Sequence, residues 1–160
     1  MTTNVSNWRY PVGFYFLVDF QNLNGVKFQA SFFEVDGIGW TVNTDKKNTN
    51  SNGALNMPTN MTYDNITFKC PVSPLSDDFS KWVNDCANTM SELGGGGKIL
   101  RNITCDVIIK LLDESGQPLS AWACNHAYPV SYKLGTLNAA KSDLAMETIT
   151  LAYNHLERIV

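Results

Sequence analysis

Apolar and polar positions alternate over several stretches of the chain, and the alternation has the period of two expected of strands. Phe14, Phe16, Val18 and Phe20 share one face of a first strand, which ends in the turn-forming residues Gln21 to Gly25. Phe28, Ala30 and Phe32 alternate next, until Phe33 and Val35 take the opposite parity, and this switch predicts a bulge. A short strand from Trp40 to Thr44 leads into Asp45 to Asn60, a long, almost wholly polar excursion punctuated by Gly53 and Pro58. Alternation resumes from Thr62 to Cys70, with Ile66, Phe68 and Cys70 against Asn65, Thr67 and Lys69, and Pro71 and Pro74 stop it.

From Ser76 the period lengthens. Phe79, Trp82, Val83, Cys86, Ala87 and Met90 fall at i, i+3, i+4, i+7, i+8 and i+11, with Asp77 and Asp78 in the first turn, which predicts a helix over about 76–91. The glycine-rich run within 92–98 reads as a flexible loop. Arg101 to Asp113 has the strongest strand pattern, with Ile103, Cys105, Val107, Ile109 and Leu111 opposite Asn102, Thr104, Asp106 and Lys110. Glu114 to Pro118 is a hairpin turn into a strand over Leu119 to Ala127, Pro129 breaks or edges the next piece, Val130 to Leu134, and a last strand runs over Met146 to Leu156. The expected fold is mainly β: an antiparallel barrel or sandwich of about six to eight strands flanked by one helix. With 160 residues and no internal repeat, the whole of 1–160 reads as one domain, with 1–9 as an N-terminal arm.

Composition narrows the function classes. A formal charge of −3 offers no broad basic footprint for nucleic acid or anionic lipid. Charged residues make up 17%, below the roughly 25% usual in globular domains, and the abundant Asn and Thr suit a surface built for contact. Cys70, Cys86, Cys105 and Cys124 are widely spaced, with no CxxC pair and no histidine at ligand spacing, so neither zinc nor a redox dithiol is expected. Met1 to Tyr10 has neither a basic start nor an apolar stretch, and no apolar run approaches the ~20 residues of a membrane span. Synthesis in a reducing cytoplasm with free thiols is the expectation. The Asn-x-Ser/Thr triplets at Asn4, Asn60, Asn65 and Asn102 follow from the abundance of those residues.

Candidate chemistry is sparse. Gly94 to Lys98 suggests a phosphate loop, but Glu92 stands at the first glycine position, Ile99 replaces the metal-binding hydroxyl, and the run joins a helix to a strand. His126 and His155 lie on expected strands outside any HExxH pattern, and no GxSxG elbow surrounds a serine. Cys124 and His126 share a strand face without a third orienting group. Asp106, Asp113, Glu114 and Glu147 read as a solvated face, and Trp82, Trp122 and Tyr128 as packing residues. No catalytic residue, metal or cofactor is expected.

The ordered motifs nevertheless resemble a known family. Tyr10-Pro11-Val12-Gly13-Phe14-Tyr15-Phe16, Phe33-Glu34-Val35-Asp36-Gly37-Ile38 and Tyr63-Asp64-Asn65-Ile66-Thr67-Phe68-Lys69 are similar to the opening half of the tail tube proteins of contractile-tailed phages and contractile injection systems, which share the Hcp-like tube fold. The second half follows in order: the Phe79–Trp82 helix, the Leu111 to Gly116 hairpin, Trp122 with Asn125-His126-Ala127-Tyr128-Pro129, and Met146 to Leu151 as the closing strand. The resemblance implies a non-enzymatic subunit that forms homo-hexameric rings, stacked into the hollow inner tube of a contractile tail. Sheath, baseplate or spike and tube-terminator proteins are the implied partners, with cargo in the lumen. The implied location is a virion or injection particle assembled in the bacterial cytoplasm.

By position, the family's inter-ring hairpin maps to about 43–62, with Lys46, Lys47, Asn48, Asn50 and Asn52 as stacking residues. Phe79, Trp82, Val83 and Cys86 are expected to dock the helix on the barrel. Two departures stand out: Cys70 and Pro71 where the family continues with Arg-Gly, and an apparent insertion at 92–98. Leu151 to Leu156 is also similar to baseplate-proximal tube initiators, so the level within the tube stays open. A type VI secretion-like ring-forming carrier and a monomeric small-ligand barrel are the alternatives.

Overall fold

The computed structural model describes residues 15–49, 53–92 and 103–160. The N-terminal arm, the motif residues Tyr10 to Phe14, Asn50, Asn52, Gly94 to Lys98 and Asn102 lie outside the described residues. In chain order the elements are β1 (Phe16–Asn22), β2 (Lys27–Ala30), β3 (Glu34–Asp36), β4 (Trp40–Thr49), β5 (Gly53–Tyr63), β6 (Ile66–Pro71), α1 (Asp78–Glu92), β7 (Cys105–Leu112), β8 (Pro118–Leu134), β9 (Met146–Ala152) and β10 (His155–Arg158).

Among the described residues, one eight-stranded antiparallel sheet runs in the order β2-β1-β7-β8-β9-β6-β3, with β10 also on β8, and β4–β5 form a separate ribbon. The sheet is folded into a sandwich by β8. The first part of this strand pairs with β7 and β10, whereas Tyr128 to Leu134 pair with β9. Because β2 and β3 end the two leaves without pairing to each other, the sheet is not closed into a barrel.

The crease is built from three local features. His126 adopts a left-handed φ of 56°, and the ladder registers of β7 and β8 shift beside it. Its N–H is taken by the Asp106 carboxylate at 2.9 Å, so the backbone donor that leaves the ladder still finds an acceptor. Pro129, which has no N–H to offer, sits where the β8–β9 register shifts. A proline expected to divide two strands therefore lies inside one 17-residue strand that bends.

Side chains of both leaves meet in one core. Val18 and Phe20 of β1 with Val107 and Ile109 of β7 face Ile66 and Phe68 of β6 with Ile149 and Leu151 of β9, all essentially buried. The Phe20 and Phe68 rings, 6.3 Å apart, span the layers. α1 closes one side. Phe79, Val83 and Cys86 are buried, while Trp82 is half-buried against the cluster with its ring 5.8 Å from that of Phe20.

Three further boundaries differ from expectation. The parity switch at Phe32 and Phe33 is not a bulge: β2 ends one leaf and β3 begins the other, with Phe32 turned onto Phe68 at 4.7 Å and Phe33 left 72% exposed. The strand over Thr62 to Cys70 divides at Asp64, whose N–H donates to the Gly39 carbonyl. Gly37 makes that approach feasible, since its φ is 88° and a Cβ there would strike the Asn65 carbonyl oxygen. The final strand divides at Tyr153 and Asn154, so that β9 stays with β6 and β8 while β10 crosses to the earlier part of β8.

Candidate assembly surfaces

The β4–β5 ribbon projects from the sandwich. Arms of 10 and 11 residues give it a length of about 30 Å at ~3.3 Å per residue. Its base is held by aromatic contacts: Tyr63 donates or accepts a hydrogen bond with His155 Nδ1 at 3.1 Å, and the Tyr153 hydroxyl donates to the Gly39 carbonyl at 3.2 Å. Beyond the base, every described side chain with an assigned burial is exposed. Asn43 Nδ2 donates to Asn60 Oδ1 at 2.9 Å, and Thr59 Oγ1 donates to the Asn43 carbonyl at 3.0 Å.

These contacts mark a bulge. Asn43 pairs with Asn60 but Thr44 pairs with Pro58, leaving Thr59 as the extra residue. Directly opposed residues of an antiparallel pair share a face, so Trp40, Val42, Met61 and Tyr63 lie together near the base. Past the bulge the apolar residues of β5 change sides: Met57 opposite Asp45 and Leu55 opposite Lys47 occupy the other face. Trp40 is 58% exposed and Leu55 53%. The ribbon, expected to be polar, thus carries apolar side chains on both faces. Lys46 and Lys47 are exposed and, among the described residues, have no ion-pair partner. Asn48 lies nearer the tip, opposite Ala54.

A second surface is a groove of about 290 Å³ between α1 and the leaf containing β9. Val72, Leu75, Val83 and Ala87 supply apolar wall, and Glu147 forms part of the floor. Glu147 was expected on a solvated face but is only 5% exposed, because the odd positions of β9, Glu147, Ile149 and Leu151, all turn inward. Its carboxylate accepts from the Tyr132 hydroxyl at 3.1 Å and the Cys70 thiol at 3.5 Å. Burial, and then Glu147, push that thiol up from 9.0 to about 12.

A third surface is the open mouth of the sandwich, where Phe16, Val35, Leu111 and Trp122 line a groove of about 250 Å³ with exposed Phe33 on its rim. The Arg158 guanidinium lies 5.9 Å from the Trp122 ring and donates from Nη2 to Ser120 Oγ at 2.8 Å. The Asn125 carbonyl accepts from Asn154 N–H, tying β8 to the start of β10. Tyr128 is half-buried and Pro129 buried, both at the start of the β9-paired part of β8.

The residues with potential chemistry are kept apart. His155 is engaged with Tyr63, His126 occupies the crease, and burial pushes the Cys124 thiol up from 9.0 to about 12, far from a reactive thiolate. Among the described residues, no group of three or more His, Cys, Asp and Glu side chains could hold a metal, and no helix is long and apolar enough to cross a membrane.

The sequence profile described as T4-like virus tail tube protein gp19 matches residues 12–157. The chain belongs to this tail tube family. Membership makes it a structural tube protein, in a family without catalytic activity. Similar folds occur in solved structures of low sequence identity. A chain of the sheath–tube complex of an extracellular contractile injection system, PVC, in the extended state is 19% identical with a TM-score of 0.75, covering 99% of this chain and 97% of that one. A chain of the 6-fold symmetrised anti-feeding prophage baseplate is 21% identical with a TM-score of 0.75, over 95% of this tube protein and 97% of that chain. Hcp1 of the E. coli EAEC 042 pathovar is 11% identical with a TM-score of 0.57, over 92% and 89%. Among curated proteins, none matches the chain.

What the sequence reading missed in the tube protein is the apolar character of the ribbon. Leu55, Met57, Met61 and Tyr63 do stand at odd positions, but intervening Asn, Thr and Pro residues hide the spacing, and the bulge at Thr59 divides the set between faces.

Proposed function

We propose that this tube protein, as a single domain, forms six-membered rings that stack into the hollow inner tube of a contractile particle. The β4–β5 ribbon carries this reading: a two-stranded ribbon is marginal alone, and exposed apolar side chains on both faces fit contact with neighbouring subunits. The 6-fold baseplate and the sheath–tube complex that hold its structural neighbours support sixfold rings inside a sheath, on a baseplate and spike. A terminator protein and luminal cargo complete the assembly, within a virion or an injection particle made in the bacterial cytoplasm. Lys46, Lys47 and Asn48, with Asn50 and Asn52, serve the contact between rings. Mass photometry and negative-stain microscopy at micromolar concentration test the reading. Rings and short tubes are expected, and a strictly monomeric species at all concentrations would overturn it.

A further inference from the structure

The ribbon and the α1–β9 groove lie at opposite ends of the same strand. β6 begins at Ile66, three residues after Tyr63 at the ribbon's base, and ends at Pro71, after which Val72 and Leu75 form the rim of the groove. Six residues of strand separate the two by about 20 Å. A contact joining unlike surfaces at opposite ends of a subunit is heterologous, and when repeated along an axis it generates an open stack.

The chemistry of the two surfaces is complementary. Glu147 is 5% exposed, yet both side-chain donors it accepts from, Tyr132 and Cys70, are neutral, and among the described residues no cation pairs with it. A buried carboxylate is costly to leave without a cation. On the ribbon, Lys47 is a cation without an ion-pair partner among the described residues, directly opposite Leu55 and on the same face as Met57. That face places the Lys47 ammonium beside Leu55 and Met57, with the Asp45 carboxylate opposite Met57, and the groove places one carboxylate beneath walls in which Ser73, Ser80 and Asn84 accompany the apolar side chains.

We propose that the ribbon face carrying Lys47, Leu55 and Met57 of one subunit docks in the α1–β9 groove of a second copy in the adjoining ring, with Lys47 paired to Glu147 and Leu55 and Met57 against Val72 and Leu75. The proposal rests on the stacking reading above and names the receptor for the ribbon. The opposite ribbon face, with Trp40, Val42 and Met61, stays available for a different neighbour.

Two measurements test it. In a mutant cycle, Lys47→Met and Glu147→Gln each raise the concentration at which rings pellet as tubes by about tenfold, and the double variant raises it little further, as for a coupled pair. Glu147→Gln keeps one acceptor oxygen where Tyr132 and Cys70 now use two, so its melting temperature is measured to report whether the fold is intact. Independent, multiplying effects would overturn the pairing. In the second measurement, Leu55→Cys with Leu75→Cys, mildly oxidised after tube assembly, yields a ladder of disulfide-linked subunits.

Tubes that form without any ladder, or with a link confined within one chain, would overturn the groove as receptor while leaving the stacking role of the ribbon intact. Tubes that grow equally well after deletion of the ribbon would overturn the stacking reading itself.

Discussion

Trp82 donates from Nε1 to the Ile103 carbonyl at 2.8 Å, joining the middle of α1 to the chain just before β7. The same ring lies 6.0 Å from Phe79 and 5.8 Å from Phe20, so one side chain ties helix, sheet and the entry to β7 together.

Replacing it separates these contributions. Trp82→Phe retains most ring contact but leaves the Ile103 carbonyl without this donor, for an expected loss of about 1 kcal/mol. Trp82→Ala also removes the ring, and because Trp82 is half-buried its cost falls at the lower end of the range for large-to-small changes, about 3 kcal/mol. Urea unfolding of the unassembled subunit measures both. Unchanged stability in Trp82→Ala would mean that the ring serves a partner surface.

The crease in β8 gives a second test. Asp106→Ala removes the acceptor for His126 N–H and should cost about 1 kcal/mol, whereas Asp106→Asn keeps an acceptor and should cost less. Thermal denaturation ranks the two variants. Equal losses in both would show that charge, not the backbone bond, matters at the crease.

The buried thiols set an alkaline limit. Burial pushes Cys86, Cys105 and Cys124 up from 9.0 to about 12, and burial is also the leading cause that pushes Tyr153 up from 10.0 to about 12. A folded-state value above the unfolded one means that the unfolded chain loses its proton first as pH rises. The contribution to stability is therefore complete below about pH 9 and declines between about pH 9 and 12. Denaturant midpoints measured from pH 7 to 11 should fall above 9, and a thiol reagent at pH 8 should label the folded protein slowly. Rapid labelling of all four cysteines under native conditions would contradict this burial.

Much of the sandwich was legible because its central strands repeat strictly. Val18 and Phe20, Ile66 and Phe68, Val107 and Ile109, and Ile149 and Leu151 keep a period of two, mostly between polar neighbours, and the longer period of Phe79, Val83 and Cys86 marks α1. The turns between leaves were not legible, since a parity change at Phe32 and Phe33 looks the same in sequence whether the strand bulges or the chain crosses to another layer. Pro129 misled because proline usually ends a strand, and only the register shift on β9 accommodates it. Glu147 misled for a different reason: its inward direction follows from the alternation of β9, but its charge argued for solvent.

The joining of rings by the ribbon can be separated from the folding of the subunit. Replacing Lys46 to Pro58 with a short glycine-containing turn should leave the thermal transition of the subunit nearly unchanged, because the described side chains of this segment with an assigned burial are exposed and none belongs to the core cluster. Negative-stain microscopy of that variant is the most direct test. Single rings without tubes are expected, and tubes of normal length would show that the ribbon does not join rings.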